Sequence, residues 1–308
     1  MRIQRMCLVA FLPVVFVTAR PLSGAVQQRM PAISVERLTE RAWLIRDGLG
    51  SGNVLLFDHR EGAYLVDAGA PESAVAVART ADSLAGHPIL TVISTHYHAD
   101  HLGANPIYRR RGARVMGHDH LAEEAARDTT IPEIQWVRKP ADPAAMPTVR
   151  LTTPALVRDQ AGESIVAIQR MTEAHTRTDL LVLFPTERLL HAGDLVEVGA
   201  YPFIDWWAGG SLDGMIAQVD LVLGFVGPED RVVPGHGAVI GRAELEEYRR
   251  MLVTVRDRAR AAIRRGEGRE AFLASRPTRE FDAERGGETA GQRFASLVWL
   301  GLSGARRD

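Results

Sequence analysis

His96-Tyr97-His98-Ala99-Asp100-His101 follows, after Thr95, the apolar run Ile89-Leu90-Thr91-Val92-Ile93-Ser94. The run reads as a buried strand. Behind the cluster come Leu102-Gly103 and a helical pattern through Tyr108 to Arg111. Three imidazoles and one carboxylate therefore sit on a strand-to-helix loop, where side chains converge on one point. A lone histidine is usually a satisfied core or surface residue, but three with an aspartate at this spacing are not. Imidazole and carboxylate together form a donor set for zinc and similar borderline cations.

Three later stretches extend the pattern. Ala174-His175-Thr176-Arg177-Thr178-Asp179 precedes an apolar strand from Leu180 to Phe184. His191-Ala192-Gly193-Asp194 ends the strand after that, and Arg231-Val232-Val233-Pro234-Gly235-His236-Gly237 places a histidine just past another strand, in a glycine-rich loop. Six of the ten histidines fall in these places, which predicts a site assembled at strand ends along one sheet edge.

In this order, HYHADH at 96–101, AHTRTD at 174–179, GD at 193–194 and PGHG at 234–237 resemble the metallo-β-lactamase superfamily of metallohydrolases. The resemblance spans nearly the whole chain after its N-terminal segment. It implies an α/β protein: an αββα four-layer sandwich of two mixed β-sheets packed together, with helices outside. It also implies two zinc ions. His96, His98 and His175 would hold the first, Asp100, His101 and His236 the second, and Asp194 would bridge them.

The N-terminus reads as an export signal. Arg2 and Arg5 precede an apolar stretch from Met6 to Ala19 that contains Pro13, and Ser23-Gly24-Ala25 supplies small residues for cleavage. The apolar stretch is short and proline-broken for a membrane span. Residues 1–25 are thus assigned to a signal peptide and 26–308 to one hydrolase domain, with a C-terminal helical segment from about 242. The expected location is periplasmic or secreted, without stable membrane insertion after cleavage. The only cysteine is Cys7, so the mature chain has no disulfide and no thiolate for the metals. A net charge of −1 argues against a nucleic-acid partner, leaving a small-molecule substrate. The sequence does not address oligomeric state.

Short strands are expected at Ile33 to Leu38, Ala42 to Ile45, Asn53 to Phe57 and Ala63 to Val66, punctuated by Gly48, Gly50, Gly52 and Gly62. A helix from Pro71 to Leu84 leads into the ligand-bearing strand; Ala113 to Met116 is another strand and Leu121 to Arg127 a helix. A strand-rich pattern resumes at Thr148, through Ser164 to Ile168, Leu180 to Phe184 and Glu187 to Leu190. Ser211 to Phe225, Glu244 to Arg265 and Gln292 to Leu302 read as helices. Strands followed by helix, twice over, fit two packed sheets with helices outside.

Several neighbours are candidates to orient the ligands or line the substrate mouth. Asp67, at a strand end, is expected to orient a ligand, and Thr95 and Thr176 to fix imidazoles. Asp179 is expected to buttress the His175 loop, His191 to be structural, and Asp119 of His118-Asp119-His120 to cap a helix rather than that trio to bind metal. Tyr201, Trp206 and Trp207 lie in a glycine-flanked loop just after Asp194, where at least one is expected to face the substrate. Arg177 is a weaker candidate for an anion contact.

Two zinc ions would lower the pKa of water and supply a hydroxide nucleophile at neutral pH. Asp100 is then the candidate catalytic base as well as a ligand. No G-x-S-x-G motif is present. The expected activity is hydrolysis of a small activated carbonyl compound: an ester, lactone, thioester or β-lactam. Against β-lactams, Asp194-Leu195-Val196-Glu197 stands where cysteine-liganded lactamases carry C-x-x-K, and Glu197 would repel the drug carboxylate. A glyoxalase II-like thioesterase shares the bridging aspartate but acts on cytosolic substrates. Iron-dependent oxidoreductases of this fold place an acid where His98 stands and usually carry a flavodoxin domain. Phosphodiesterases and tRNA nucleases share the ligands, but export and charge oppose them. A non-catalytic module would be expected to have lost a ligand.

Overall fold

The computed structural model describes residues 32–131, 136–171 and 173–304. The signal-peptide assignment to 1–25 lies outside the described residues. Residues from Pro31 onward form one compact unit.

The first sheet begins as an antiparallel meander, β1 Ile33–Arg37, β2 Ala42–Asp47, β3 Val54–Phe57 and β4 Ala63–Val66. It continues in parallel through β5 Ile89–Ile93, β6 Arg114–His118 and, later in the chain, β9 Val149–Leu151. Helices α1 Ala74–Leu84 and α2 Asn105–Arg110 make the first two crossovers. Between β6 and β9 lie a short helix, α3 Leu121–Ala125, and a hairpin of β7 Thr129–Ile131 and β8 Trp136–Arg138. The second sheet contains β10 Ala155–Arg158, β11 Ser164–Arg170, β12 Leu180–Phe184, β13 Leu189–His191 and β14 Arg231–Val233, with α4 Leu212–Phe225 crossing over to a parallel last strand. Three helices finish the chain: α5 Arg242–Arg264, α6 Arg269–Ala274 and α7 Gly287–Ser303.

Both sheets are apolar on both faces because each has a layer on either side. Leu44, Leu55, Phe57, Val66 and Ile93 of the first sheet meet Val166, Ile168, Val182 and Phe184 of the second in a shared core. The alternate residues Ile45, Val54, Leu56, Leu65 and Val92 pack outward on α1 and α2. Leu181, Leu190 and Val232 pack outward on α4, α5 and α7. This is the expected four-layer order.

Several boundaries shift by a few residues from the sequence reading, and α7 starts at Gly287, five residues before the expected Gln292. Glu187 belongs to a 3-10 turn at Pro185–Glu187 and not to β13, since Arg188 takes a left-handed φ of 55° that breaks the strand. Asp119 does not cap α3: the helix starts after His120 without a side-chain cap, and Asp119 binds Arg170 at 2.8 Å. The β7–β8 hairpin and α6 were not anticipated, their three- and six-residue lengths being too short for a clear period.

The rings of Phe57 and Phe184 meet across the two sheets with centroids 4.8 Å apart, both fully buried. Phe184→Ala should lower unfolding stability by about 3–5 kcal/mol in a urea titration, as cavity formation in a close-packed core does. A loss below 1 kcal/mol would mean that the sheets close over the gap.

Candidate metal centre

Every chemistry-bearing loop leaves the sheets at one edge. Asp67 follows β4; His96, His98, Asp100 and His101 follow β5; His175 precedes β12; Asp194 follows β13; His236 follows β14. Parallel pairing of β4 with β5 and of β13 with β14 puts the carboxyl ends of both pairs on the same side, where α/β sheets form their binding crevices.

The seven sequence-derived ligands converge in two groups. His96, His98, His175 and Asp194 bring one donor atom each to within 4.8 Å of one another, and so do Asp100, His101 and His236. Asp194 spans both. Its Oδ1 is 3.2 Å from His101 Nε2, and its Oδ2 lies 3.6 Å from His96 Nε2, 3.6 Å from His175 Nε2 and 3.5 Å from His236 Nε2. Asp100 Oδ2 is 3.3 Å from His236 Nε2 and 3.5 Å from His101 Nε2.

These residues fit a metal. His96 Nε2, His101 Nε2 and Asp194 Oδ1 are buried without a hydrogen-bond partner among the described residues. Each such orphan costs about 1–3 kcal/mol unless something satisfies it. The separations also suit ligands of a common ion, because bonds of about 2.0–2.1 Å at tetrahedral angles place ligand atoms about 3.3 Å apart. The donors are all imidazole and carboxylate, a zinc-type set.

Each imidazole offers one nitrogen to the centre and fixes the ring with the other. His101 Nδ1 meets Asp67 Oδ2 at 2.8 Å, as the sequence suggested. Asp67 takes φ 59°, a strained value for a non-glycine residue, and its carboxylate also accepts from Thr95 N at 2.7 Å and Thr95 Oγ1 at 2.8 Å. Thr95 Oγ1 in turn accepts from His96 Nδ1 at 3.1 Å. His175 Nδ1 donates to Phe203 O at 2.7 Å and His236 Nδ1 to Gly50 O at 3.1 Å. His98 uses Nδ1 at the centre and turns Nε2 to Asp205 Oδ2 at 3.3 Å. Asp205 was missed in the sequence, where it is one acid in an aromatic loop. It is fully buried and also binds Tyr97 Oη, to which Arg138 of the hairpin donates.

Charge follows burial and neighbours. Burial pushes His175 down to about 4 and, with His101 adjacent, holds His96 well below the usual imidazole range. Burial opposes charge on His236 too, but Asp194 and Asp100 raise it to about 10. Burial likewise disfavours ionisation of Asp194, yet the surrounding imidazoles hold it well below the carboxylate range. Ligation needs neutral imidazoles, so cation binding releases protons here.

Other expectations are corrected. Thr176 holds no imidazole; its hydroxyl and amide bind Asp179 at 2.5 and 2.9 Å, so Asp179 buttresses the loop as expected. Burial pushes that carboxyl up to about 7. His191 is structural, bonded to Asn53 O and the Gly193 amide. Arg177 pairs with Glu123 and Glu124 and is not open to a ligand anion. Glu197 is buried and accepts from the Phe203 amide at 3.3 Å, and burial followed by Asp194 pushes its carboxyl up to about 8.

Tyr201, Trp206 and Trp207 do not line the cleft over the metals. Tyr201 stacks on Phe294 of α7 at 5.0 Å and donates to Asp282 at 2.8 Å. Trp206 lies under Gly301, where an added Cβ would come within 2.6 Å of the indole. Trp207 packs on the same core. The C-terminal helices cover this loop. The aromatics beside the centre are Phe203 and Trp136, with ring centroids 6.0 and 5.7 Å from that of His98.

The sequence profile of the Metallo-beta-lactamase superfamily matches residues 47–236. The chain belongs to this superfamily. Among solved structures, it is similar to DIM-1 metallo-beta-lactamase (18% identity, 73% of this chain and 98% of the other, TM-score 0.57). It is also similar to a metallo-beta-lactamase from Pontibacter korlensis (20% identity, 72% and 99%, TM-score 0.57). VMB-1 gives 14% identity over 73% and 98%, again with TM-score 0.57. At these identities the likeness is one of fold. No curated protein matches the sequence.

Asp205→Asn should weaken zinc binding by about 10–100-fold in a chelator competition, the usual effect of removing a partner that orients a ligand. Unchanged affinity would show that packing alone fixes the His98 ring.

Proposed function

We propose that this chain is an exported dinuclear zinc hydrolase acting on a small activated carbonyl compound: an ester, lactone, thioester or β-lactam. The observation that carries this reading is Asp194, whose two oxygens lie 3.2 to 3.6 Å from four imidazole nitrogens drawn from both clusters. When bound, two zinc ions would lower the pKa of water and polarise the substrate carbonyl.

The protein's own groups supply the rest. Asp100 borders the cleft with its side chain 38% exposed, so it can reach both the centre and an entering water. Burial raises its proton affinity, but His101 and His236 outweigh this and keep it ionised. As a carboxylate it can accept the proton of the attacking water and deliver it to the leaving group. Phe203 and Trp136 form an apolar wall beside His98 that limits water around the reacting carbonyl.

β-Lactams belong among the substrates to be tried. The neighbouring structures are named as metallo-beta-lactamases, and Glu197 is buried and not among the residues that line the cleft. Export rests on the N-terminal sequence, and N-terminal sequencing of protein from its native host tests it: the expected first residue is Val26. Among the described residues no helix is long and apolar enough to cross a membrane.

Elemental analysis of the purified mature protein should give two zinc ions per chain, with turnover on at least one member of a panel of esters, lactones, thioesters and β-lactams. At most one metal under saturating zinc would remove the dinuclear reading, and iron at high occupancy would favour the oxidoreductase alternative. Asp100→Asn should lower kcat by more than ~100-fold, the scale of a lost general base, and a deficit should persist at full zinc occupancy. Complete recovery with excess zinc would reduce Asp100 to a ligand.

A further inference from the structure

The cleft above the metal centre has a volume of about 1430 Å³. Pockets for drug-sized ligands are commonly about 300–1,000 Å³. A carbonyl and its immediate substituents would leave most of this space unfilled. One wall is α7. Arg293, Ser296, Leu297 and Leu300 line the cleft at i, i+3, i+4 and i+7, a single stripe of the helix. A neighbouring stripe, Phe294, Val298 and Gly301, about 100° round the helix, is spent on anchoring: Phe294 stacks on Tyr201, and Gly301 lets Trp206 approach. The helix is thus anchored along one flank, while the next stripe borders the cleft.

The lining near that stripe is apolar. Phe203 and Trp136 meet edge-to-face at 5.5 Å and continue the surface from His98. At the mouth, Val75 and Val137 are 48% and 53% exposed, although both border the cleft. Charge there is mixed, with Arg110, Arg293 and Glu72 all exposed, and Lys139 paired with Asp128. Charge therefore selects little, and the apolar surface selects more.

We propose that α7 is a substrate-selecting wall, and that the preferred substrate carries an extended apolar arm beside its scissile carbonyl. This rests on the hydrolase reading above for the carbonyl, but not for the arm. The metals would hold the carbonyl end, and the arm would lie along Phe203 and Trp136 to Leu297 and Leu300, removing apolar surface of both from water. The superfamily profile ends at residue 236, so the wall is built from a part of the chain outside the matched region.

The test uses the zinc-loaded full mature chain and two kinds of probe. The first is hydrolysis of 4-nitrophenyl acetate against 4-nitrophenyl octanoate. The second is binding of octanoate against acetate by calorimetry, which needs no turnover. The octanoate ester should have the higher kcat/KM, and octanoate should bind more tightly than acetate. In Leu297→Ala/Leu300→Ala both preferences should fall about tenfold or more, the scale of losing buried leucine contacts. Ser296→Trp, which fills the cleft without emptying the core, should produce the same loss, so misfolding of the double variant would not spare the proposal. Equal preferences in wild type, or preferences unchanged in Ser296→Trp, would overturn the wall. Octanoate binding that responds to the variants, with no ester cleaved, would keep the wall and count against the hydrolase reading. Cleavage without chain-length dependence would do the reverse.

Discussion

The Asp194 carboxylate is the constraint around which the site is built. Five imidazoles crowd together at the sheet edge, with the rings of His96 and His101 only 4.2 Å apart. His101 and His236 are drawn toward the charged form there, and an uncompensated buried ion costs several kcal/mol. Asp194 supplies the counter-charge, and the backbone makes room. A Cβ on Gly235 would lie 1.9 Å from Asp194 Oδ1, and the Gly235 amide binds Gly193 O at 2.7 Å. Gly193 itself takes φ 52°, which turns the chain so that the next side chain points inward. The GD and PGHG motifs are therefore one device, two loops closing on one carboxylate.

Around this centre the second nitrogens of the imidazoles are tied to several pieces of the fold. Asp67 comes from the end of β4, Gly50 from the β2–β3 loop, Phe203 and Asp205 from the loop after Asp194. The site has no single supporting element, and its geometry depends on the two sheets keeping their register. The Arg138–Tyr97–Asp205–His98 chain extends that dependence to the β7–β8 hairpin. A short surface hairpin is thereby coupled to the orientation of a ligand.

The C-terminal helices change the role of the loop after Asp194. Tyr201 and Trp206, which follow Asp194 in the chain, pack against α7. They are instead held in the core, and the cleft beside the centre is lined by Phe203, Trp136 and α7. Burying large aromatics stabilises more than displaying them to water does, at roughly 25 cal/mol per Å² of apolar area.

The local patterns determined much by themselves. The seven candidate donors that the fold gathers, the strand ends that carry them and the two-sheet architecture were legible because metal donors come in dense, ordered motifs and because strands apolar on both faces announce layers on both sides. Asp67 was also legible, as an acid placed at a strand end. Only the tertiary structure decided which way ambiguous side chains turned. Asp205 looked like any loop acid until the fold brought it under His98, 107 residues earlier in the chain. Glu197 was expected to meet a substrate carboxylate, but the fold buries it. The aromatic loop was expected to turn at least one ring to the substrate, and α7, nearly a hundred residues further on, covers it instead. These are long-range packing outcomes, and a residue's own neighbours in sequence carry no information about which distant surface will bury it.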